Sequence, residues 1–152
     1  MLDLINIPSN LEQNIILSSE QDSKKIAVNL AHNLRGNEII TFKGGLGAGK
    51  TFFARQIIQF FCGSEINVTS PTFSIVQIYQ AKNFDIYHYD LYRLKDKNEL
   101  YELALEEAMT NNLCLIEWPE IAADLLKSPI IEIALKLNLT DLNTRHCSIN
   151  II

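Results

Sequence analysis

A single α/β domain with a mixed parallel/antiparallel central sheet flanked by helices is predicted by three observations. An apolar β-rich run at residues 38–42 leads into a glycine-rich stretch and then into an apolar helical segment, an order that implies parallel pairing around a central β-α unit. Alternating apolar and polar residues at 73–79, 85–91 and 131–139 imply antiparallel hairpins at the edges of the same sheet. The chain has 152 residues, 47% of them hydrophobic and 20% charged, which is enough for one core and too little for two ordinary domains.

The elements follow in order. Residues 2–7 and 15–17 are short β-like segments. Ser18 with Gln21 has the form of a capping box, after which Ala27, Leu30, Ala31 and Leu34 recur at helical spacing as far as Gly36. A strand at 38–42 and a buried helix at 51–62, closed by Gly63, flank the glycine-rich stretch. Residues 73–79 and 85–91 form a hairpin, and residues 96–109 are expected to be helical. The continuous apolar run Leu113-Cys114-Leu115-Ile116 is a central buried strand ending on Glu117, and Pro119 forbids its regular continuation. A last hairpin is expected to turn at residues 141–144, with 145–152 pairing back.

Composition excludes several classes of function. Thirteen Lys and Arg against 18 Asp and Glu give a net charge of −5, so the chain lacks the electrostatic footprint of an autonomous nucleic-acid binder. No apolar run reaches the ~18 residues needed to cross a bilayer, and the N-terminus shows no export signal. Cys62, Cys114 and Cys147 have no metal-like spacing with one another or with His32, His88 and His146, and read as reduced core thiols of a cytoplasmic protein.

Gly44-Gly45-Leu46-Gly47-Ala48-Gly49-Lys50-Thr51 satisfies G-x-x-x-x-G-K-[ST] between a predicted strand and a predicted helix. Such a P-loop aims backbone N–H groups and a helix N-terminus at phosphate oxygens. Lys50 would reach the β- and γ-phosphates, and Thr51 would complete a Mg²⁺ shell. The second acidic group such a site needs is expected at the end of a neighbouring strand. Glu117 is the best placed, the alternative being a solvated strand-end carboxylate. Asp90 ends another strand, where it would orient water, act as a base or hold the metal shell, or else be a turn aspartate. Ser70-Pro71-Thr72-Phe73 is either a phosphate-sensing loop or a plain turn. Trp118 either shapes the site or packs, and Arg93 faces phosphate or pairs with a carboxylate such as Glu99. His88 reads as a hydrogen-bonded structural histidine without assigned chemistry.

Taken together, GGLGAGKT, SPTF, H-x-D-L-Y-R at 88–93 and IEWPE at 116–120 resemble the TsaE family, also called YjeE, over residues 14–152, which implies that residues 1–13 are an extra N-terminal segment. The resemblance implies a Mg²⁺-dependent ATPase of tRNA threonylcarbamoyladenosine biosynthesis that supports turnover of a TsaB–TsaD transferase complex and meets tRNA only through those partners. It further implies that Gly44 to Thr51 bind ATP, that Thr51 and Glu117 hold Mg²⁺, that Asp90 serves hydrolysis and that Thr72 belongs to a switch-like loop. Arg145 resembles a family arginine that contacts nucleotide, although Thr144 stands where the family has glycine. Gly45 replaces a family aspartate. Ala104 replaces a frequent family glycine and is expected to make the acidic helix more continuous.

The resulting expectation is an ATPase with Lys50, Asp90 and Glu117 as catalytic residues, slow alone because no Arg-rich lid is evident. Two alternatives stand beside it. A small-molecule P-loop kinase would gather several arginines, whereas this chain has only Arg35, Arg55, Arg93 and Arg145. A nucleotide-gated adaptor would use ATP binding to change shape, with incidental hydrolysis.

Overall fold

Alternation along the strands and one long apolar helix build a sheet covered on both faces. The computed structural model describes residues 13–127 and 129–152, so the β-like segment expected at 2–7 and the N-terminal extension through residue 12 lie outside it. In chain order the elements are β1 (Gln13–Leu17), α1 (Glu20–Ala31), β2 (Ile39–Lys43), α2 (Lys50–Cys62), β3 (Val76–Gln80), β4 (Asp85–Asp90), α3 (Glu99–Glu102), α4 (Leu105–Ala108), β5 (Leu113–Glu117), a 3₁₀ turn (Pro119–Ala122), β6 (Ile130–Asn138) and β7 (Asp141–Ile151).

The described strands form one sheet in the order β1-β7-β6-β2-β5-β4-β3. Its centre is parallel: β2 pairs with β5 and β6, and β5 pairs with β4. Its edges are antiparallel, through β3 on β4 at one side and β7 between β6 and β1 at the other. The mixed sheet therefore agrees with the sequence expectation. The register Phe42↔Glu117 and Asp90↔Glu117 brings the carboxyl ends of β2, β5 and β4 level with one another. Functional side chains placed at these ends share one rim of the sheet.

Each sheet face carries its own core. On one face Leu30, Ile40, Phe42, Phe53, Ile57, Ile58, Leu113 and Leu115 pack under α1 and α2. The full burial of each large aliphatic or aromatic side chain of α2 contributes roughly 1.5–3 kcal/mol. On the other face Ile39, Tyr89, Leu100, Leu105, Cys114 and Ile116 pack under α3, α4 and the 3₁₀ turn.

Four sequence expectations are corrected here. The cap of α1 is Ser19, whose hydroxyl accepts from the Asp22 amide at 3.2 Å, while the Asp22 carboxylate accepts from the Ser18 amide; the capping arrangement thus lies one residue later than Ser18 and Gln21 suggest. The same helix stops at Ala31, short of Gly36. The last hairpin turns at residues 139 and 140, with Asn138 already opposite Asp141, because Asn138 accepts from the Thr140 amide and hydroxyl and tightens the turn. Residues 96–109 are two single helical turns, because Ala104 adopts a left-handed conformation at φ 51°. That break lets Leu100, Leu105 and Ala108 all reach the second core, and the Tyr89 hydroxyl donates to the Leu103 carbonyl at the bend.

Cys114 and Cys147 are buried and their thiols are pushed up to about 12 by loss of solvation, whereas Cys62 is only partly covered. With a thiol-reactive disulfide at pH 8, Cys62 should label in the native protein and the other two only on unfolding. Equal native labelling of all three would contradict the packing. At the helix break, Ala104→Gly should raise stability by about 0.5–1 kcal/mol in urea denaturation, since a left-handed alanine costs roughly 1–2 kcal/mol and glycine returns part of that as chain entropy.

Candidate functional site

The glycine-rich loop joins β2 to α2 on the rim where the parallel strands end. Gly44 lies where an added Cβ would sit 2.3 Å from the Leu135 carbonyl oxygen, so only glycine lets the loop pass against β6. Gly49 caps α2 in a left-handed conformation at φ 105° and supplies no side-chain hydrogen bond, and the first turn of α2 contains no acidic residue. No side chain of Gly49 or of the first turn of α2 caps its first amides or supplies negative charge there, in contrast to α1 with Ser19, Glu20 and Asp22. Gly45 has open space where a Cβ would be, so its departure from the aspartate of the family pattern is not imposed by crowding.

The side chain of Lys50 folds back over the loop, donating to the Gly44 and Gly45 carbonyls at 2.7 Å each, with Nζ 4.2 Å from the centre of the Trp118 ring. Burial lowers its pKa from the ordinary lysine value, an effect opposed by the negative charges of Glu117, Asp90 and Glu120. Thr51, one residue further on, donates to both oxygens of Glu117 at 2.9 and 3.0 Å. Glu117 is 2% exposed and its Oε1 also meets Nε2 of the fully buried His88 at 2.8 Å.

Asp90 stands beside Glu117 in register on the next strand. It accepts from the Thr72 hydroxyl at 3.1 Å and from the Tyr92 amide at 3.1 Å, and Thr72 is in turn 2.6 Å from the Ser70 hydroxyl. The 70–73 segment is thus tied to the rim through Asp90. Trp118 has a left-handed backbone at φ 56°, which turns the chain out of β5 and lays the indole beside Lys50 and 4.7 Å from the Tyr92 ring. Arg145 on β7 reaches across to donate to the Ala48 carbonyl at 3.2 Å and packs near Gly49.

A cleft of about 320 Å³ collects Leu46, Gly47, Gly49, Lys50, Thr51, Thr72, Asp90, Glu117, Trp118 and Arg145. Gly44, Gly45 and Ala48 belong to the same loop behind it. Arg93, by contrast, lies 4.1 Å over the Phe73 ring, which is neither of the placements its sequence neighbours suggested. Sequence reasoning missed two contributions. Glu20 and Ser23 of α1 line the cleft, and no pattern marks them beyond their place at a helix start. The other is the partner of His88: the histidine is hydrogen-bonded, as its sequence reading expects, but H-x-D only sets His88 and Asp90 on one face of their strand and does not name Glu117 as the group it meets.

The donor set suits Mg²⁺. Thr51 and Glu117 offer hard oxygen ligands, with the buried carboxylate in direct contact with the hydroxyl. Among the described residues no cluster of three or more His, Cys, Asp or Glu side chains is arranged to hold a metal, so the ion would draw its remaining ligands from phosphate and water, as Mg²⁺ commonly does.

Fold and site together define an α/β protein with a mixed sheet and a glycine-rich loop at the carboxyl ends of its parallel strands. The profile of the family described as "Threonylcarbamoyl adenosine biosynthesis protein TsaE" matches residues 17–147. The chain belongs to the TsaE family. It is 53% identical over 135 residues to the tRNA threonylcarbamoyladenosine biosynthesis protein TsaE of Rickettsia felis, covering 89% of this chain and 78% of that protein. Identity to the protein of the same description from Aquifex aeolicus is 31% over 140 residues, covering 91% and 96%. The crystal structure of YdiB from Bacillus subtilis shares the fold with a TM-score of 0.73 at 23% identity, covering 93% of this chain and 86% of that one.

If Arg145 braces the loop from behind, Arg145→Ala should speed amide hydrogen exchange across residues 46–49 while leaving β5 protected. Unchanged exchange there would show that the loop holds its shape without the bond to Ala48.

Proposed function

We propose that this chain is a Mg²⁺-dependent ATPase that supports tRNA threonylcarbamoyladenosine formation by acting with a TsaB–TsaD transferase complex. The observation that carries the reading is the contact of Thr51 with Glu117 beside Lys50, which joins the start of α2 to the end of β5 at the mouth of a phosphate-sized loop. The named relatives and the matched family support the tRNA role, and the loop chemistry supports ATP.

In this reading the phosphates of ATP lie against the loop amides and the start of α2, and Lys50 exchanges its carbonyl partners for phosphate oxygens. Thr51 and Glu117 hold Mg²⁺, which when bound offsets phosphate charge. Asp90, fixed by Thr72 and the Tyr92 amide, orients a water in line with the γ-phosphorus. The water's oxygen bonds to the γ-phosphorus as the bond from that phosphorus to the β-phosphate oxygen breaks, ADP and inorganic phosphate leave, and the water's proton passes to the phosphate or to solvent. Arg55 is committed to the Val68 carbonyl and Arg93 to Phe73, an arrangement that favours an ATPase over a kinase with an arginine-rich lid. The net charge of −5 argues against tRNA binding by this chain on its own, so any contact with tRNA in this reading is made through partners.

The test is release of phosphate from MgATP by the purified chain, alone and with TsaB, TsaD and tRNA. Lys50→Ala should lower hydrolysis by at least about 100-fold, the loss of a charge-stabilising group at the transferred phosphate. Partner stimulation of the native chain is expected. Undiminished hydrolysis in Lys50→Ala, or phosphate appearing on an added metabolite, would overturn the reading.

A further inference from the structure

We propose that His88 is the positioning residue for Glu117: its Nε2–H holds Oε1 so that the carboxylate stays facing Thr51, with Oε2 left for a divalent cation. The inference rests on the proposed MgATP reading and adds a residue that reading does not use.

Three observations carry it. His88 is fully buried, and its Nε2 lies 2.8 Å from Glu117 Oε1, a contact made two residues before Asp90 on the strand that pairs with β5. The Thr51 hydroxyl lies 2.9 Å from Glu117 Oε1 and 3.0 Å from Oε2, and among the described residues Oε2 has no other hydrogen-bond partner, whereas Oε1 also meets His88. His88 Nδ1 is buried without a hydrogen-bond partner. A carboxylate accepts, so the nitrogen facing it must donate; the other nitrogen then keeps a bare lone pair, which costs less than a buried N–H without an acceptor. The same geometry therefore fixes both the tautomer and the rotation of the carboxylate. A metal-binding carboxylate held in this way by a hydrogen bond behind it gains affinity because its orientation is set before the ion arrives.

Two measurements test the proposal. In the long-range ¹H–¹⁵N spectrum of the labelled wild-type protein, which has three histidines, His88 should appear as the Nε2–H tautomer, assigned by its disappearance in His88→Gln. Binding of a fluorescent ADP analogue, followed against Mg²⁺ concentration and separately in EDTA, gives the second readout. His88→Leu should raise the Mg²⁺ needed for half-maximal effect by about 10-fold or more, with analogue affinity in EDTA unchanged. His88→Gln, which keeps an N–H donor, should recover most of the loss. An Nδ1–H tautomer, a wild-type Mg²⁺ requirement in His88→Leu, or no recovery in His88→Gln would each overturn the proposal. If His88→Leu does not fold, the wild-type tautomer and the His88→Gln titration decide it. A wild-type protein whose nucleotide binding ignores Mg²⁺ overturns the MgATP reading and this inference with it; that failure is told apart because the tautomer would still be Nε2–H.

Discussion

The site is organised around a buried carboxylate that has to be accommodated. Glu117 is 2% exposed and stands in register beside Asp90, itself 5% exposed, so two acidic groups share the rim of a sheet away from bulk water. Such a pair persists only with donors and a cation close by. Thr51 and His88 supply the donors to Glu117, Thr72 and the Tyr92 amide supply them to Asp90, and Lys50 supplies the charge. These groups come from four stretches of chain, at residues 50–51, at 72, at 88–92 and at 117, and the parallel register of β2, β5 and β4 brings the strand ends among them level. A one-residue shift in the pairing of β4 with β5 would turn His88 and Asp90 to the face opposite Glu117 and break this arrangement.

How much of this was legible in the sequence depends on whether a local pattern carried it. The glycine-rich loop, the strand ending on Glu117 and the H-x-D strand were each written in a short window, and the structure places Lys50, Thr51, Asp90, Glu117, Thr72 and Arg145 around one cleft. The acidic segment failed because helix propensity favours continuity through Ala104, while packing demanded a bend. Leu100 precedes the break and Leu105 and Ala108 follow it, and an unbroken helix would not seat all three in the same core. Alanine therefore takes the left-handed turn in which the resembling family often has glycine. His88 was seen but left without a role, since nothing in one sequence says which strand will lie beside it; the partner, Leu113–Glu117, is contributed from well along the chain.

The C-terminal hairpin does for the loop what the strand ends do for the carboxylates. A carbonyl of β6, that of Leu135, comes close enough to Gly44 to exclude any side chain there, and Arg145 of β7 holds Ala48 from the same side. The loop is consequently wedged between its own helix and a hairpin that is remote in sequence. Its tip remains free, since Leu46 is exposed. A loop braced at its base with an open mouth gives a ligand a fixed set of amides without requiring the whole loop to be rigid.

Two of the four left-handed non-glycine residues among the described residues stand at this rim, the others being Ala104 and Asn111. Ile75 and Trp118 both adopt left-handed conformations, at φ 68° and 56°, and for a β-branched or a bulky residue this costs on the order of 1–3 kcal/mol. Neither is a stray irregularity. Ile75 donates to the Pro71 carbonyl and accepts from the Asp90 amide, so its turn fastens the 70–73 segment to the end of β4; Trp118 donates to the Phe42 carbonyl, so its turn fastens the end of β5 to β2. Each strained residue neighbours one of the two rim carboxylates, in space or in sequence, and each is pinned by backbone hydrogen bonds to a core strand or to the loop. Relaxing either would swing Thr72 away from Asp90 or the indole away from Lys50. The strain is tolerated because the contacts it creates are the ones that let two buried acids and a buried lysine coexist at the mouth of the loop.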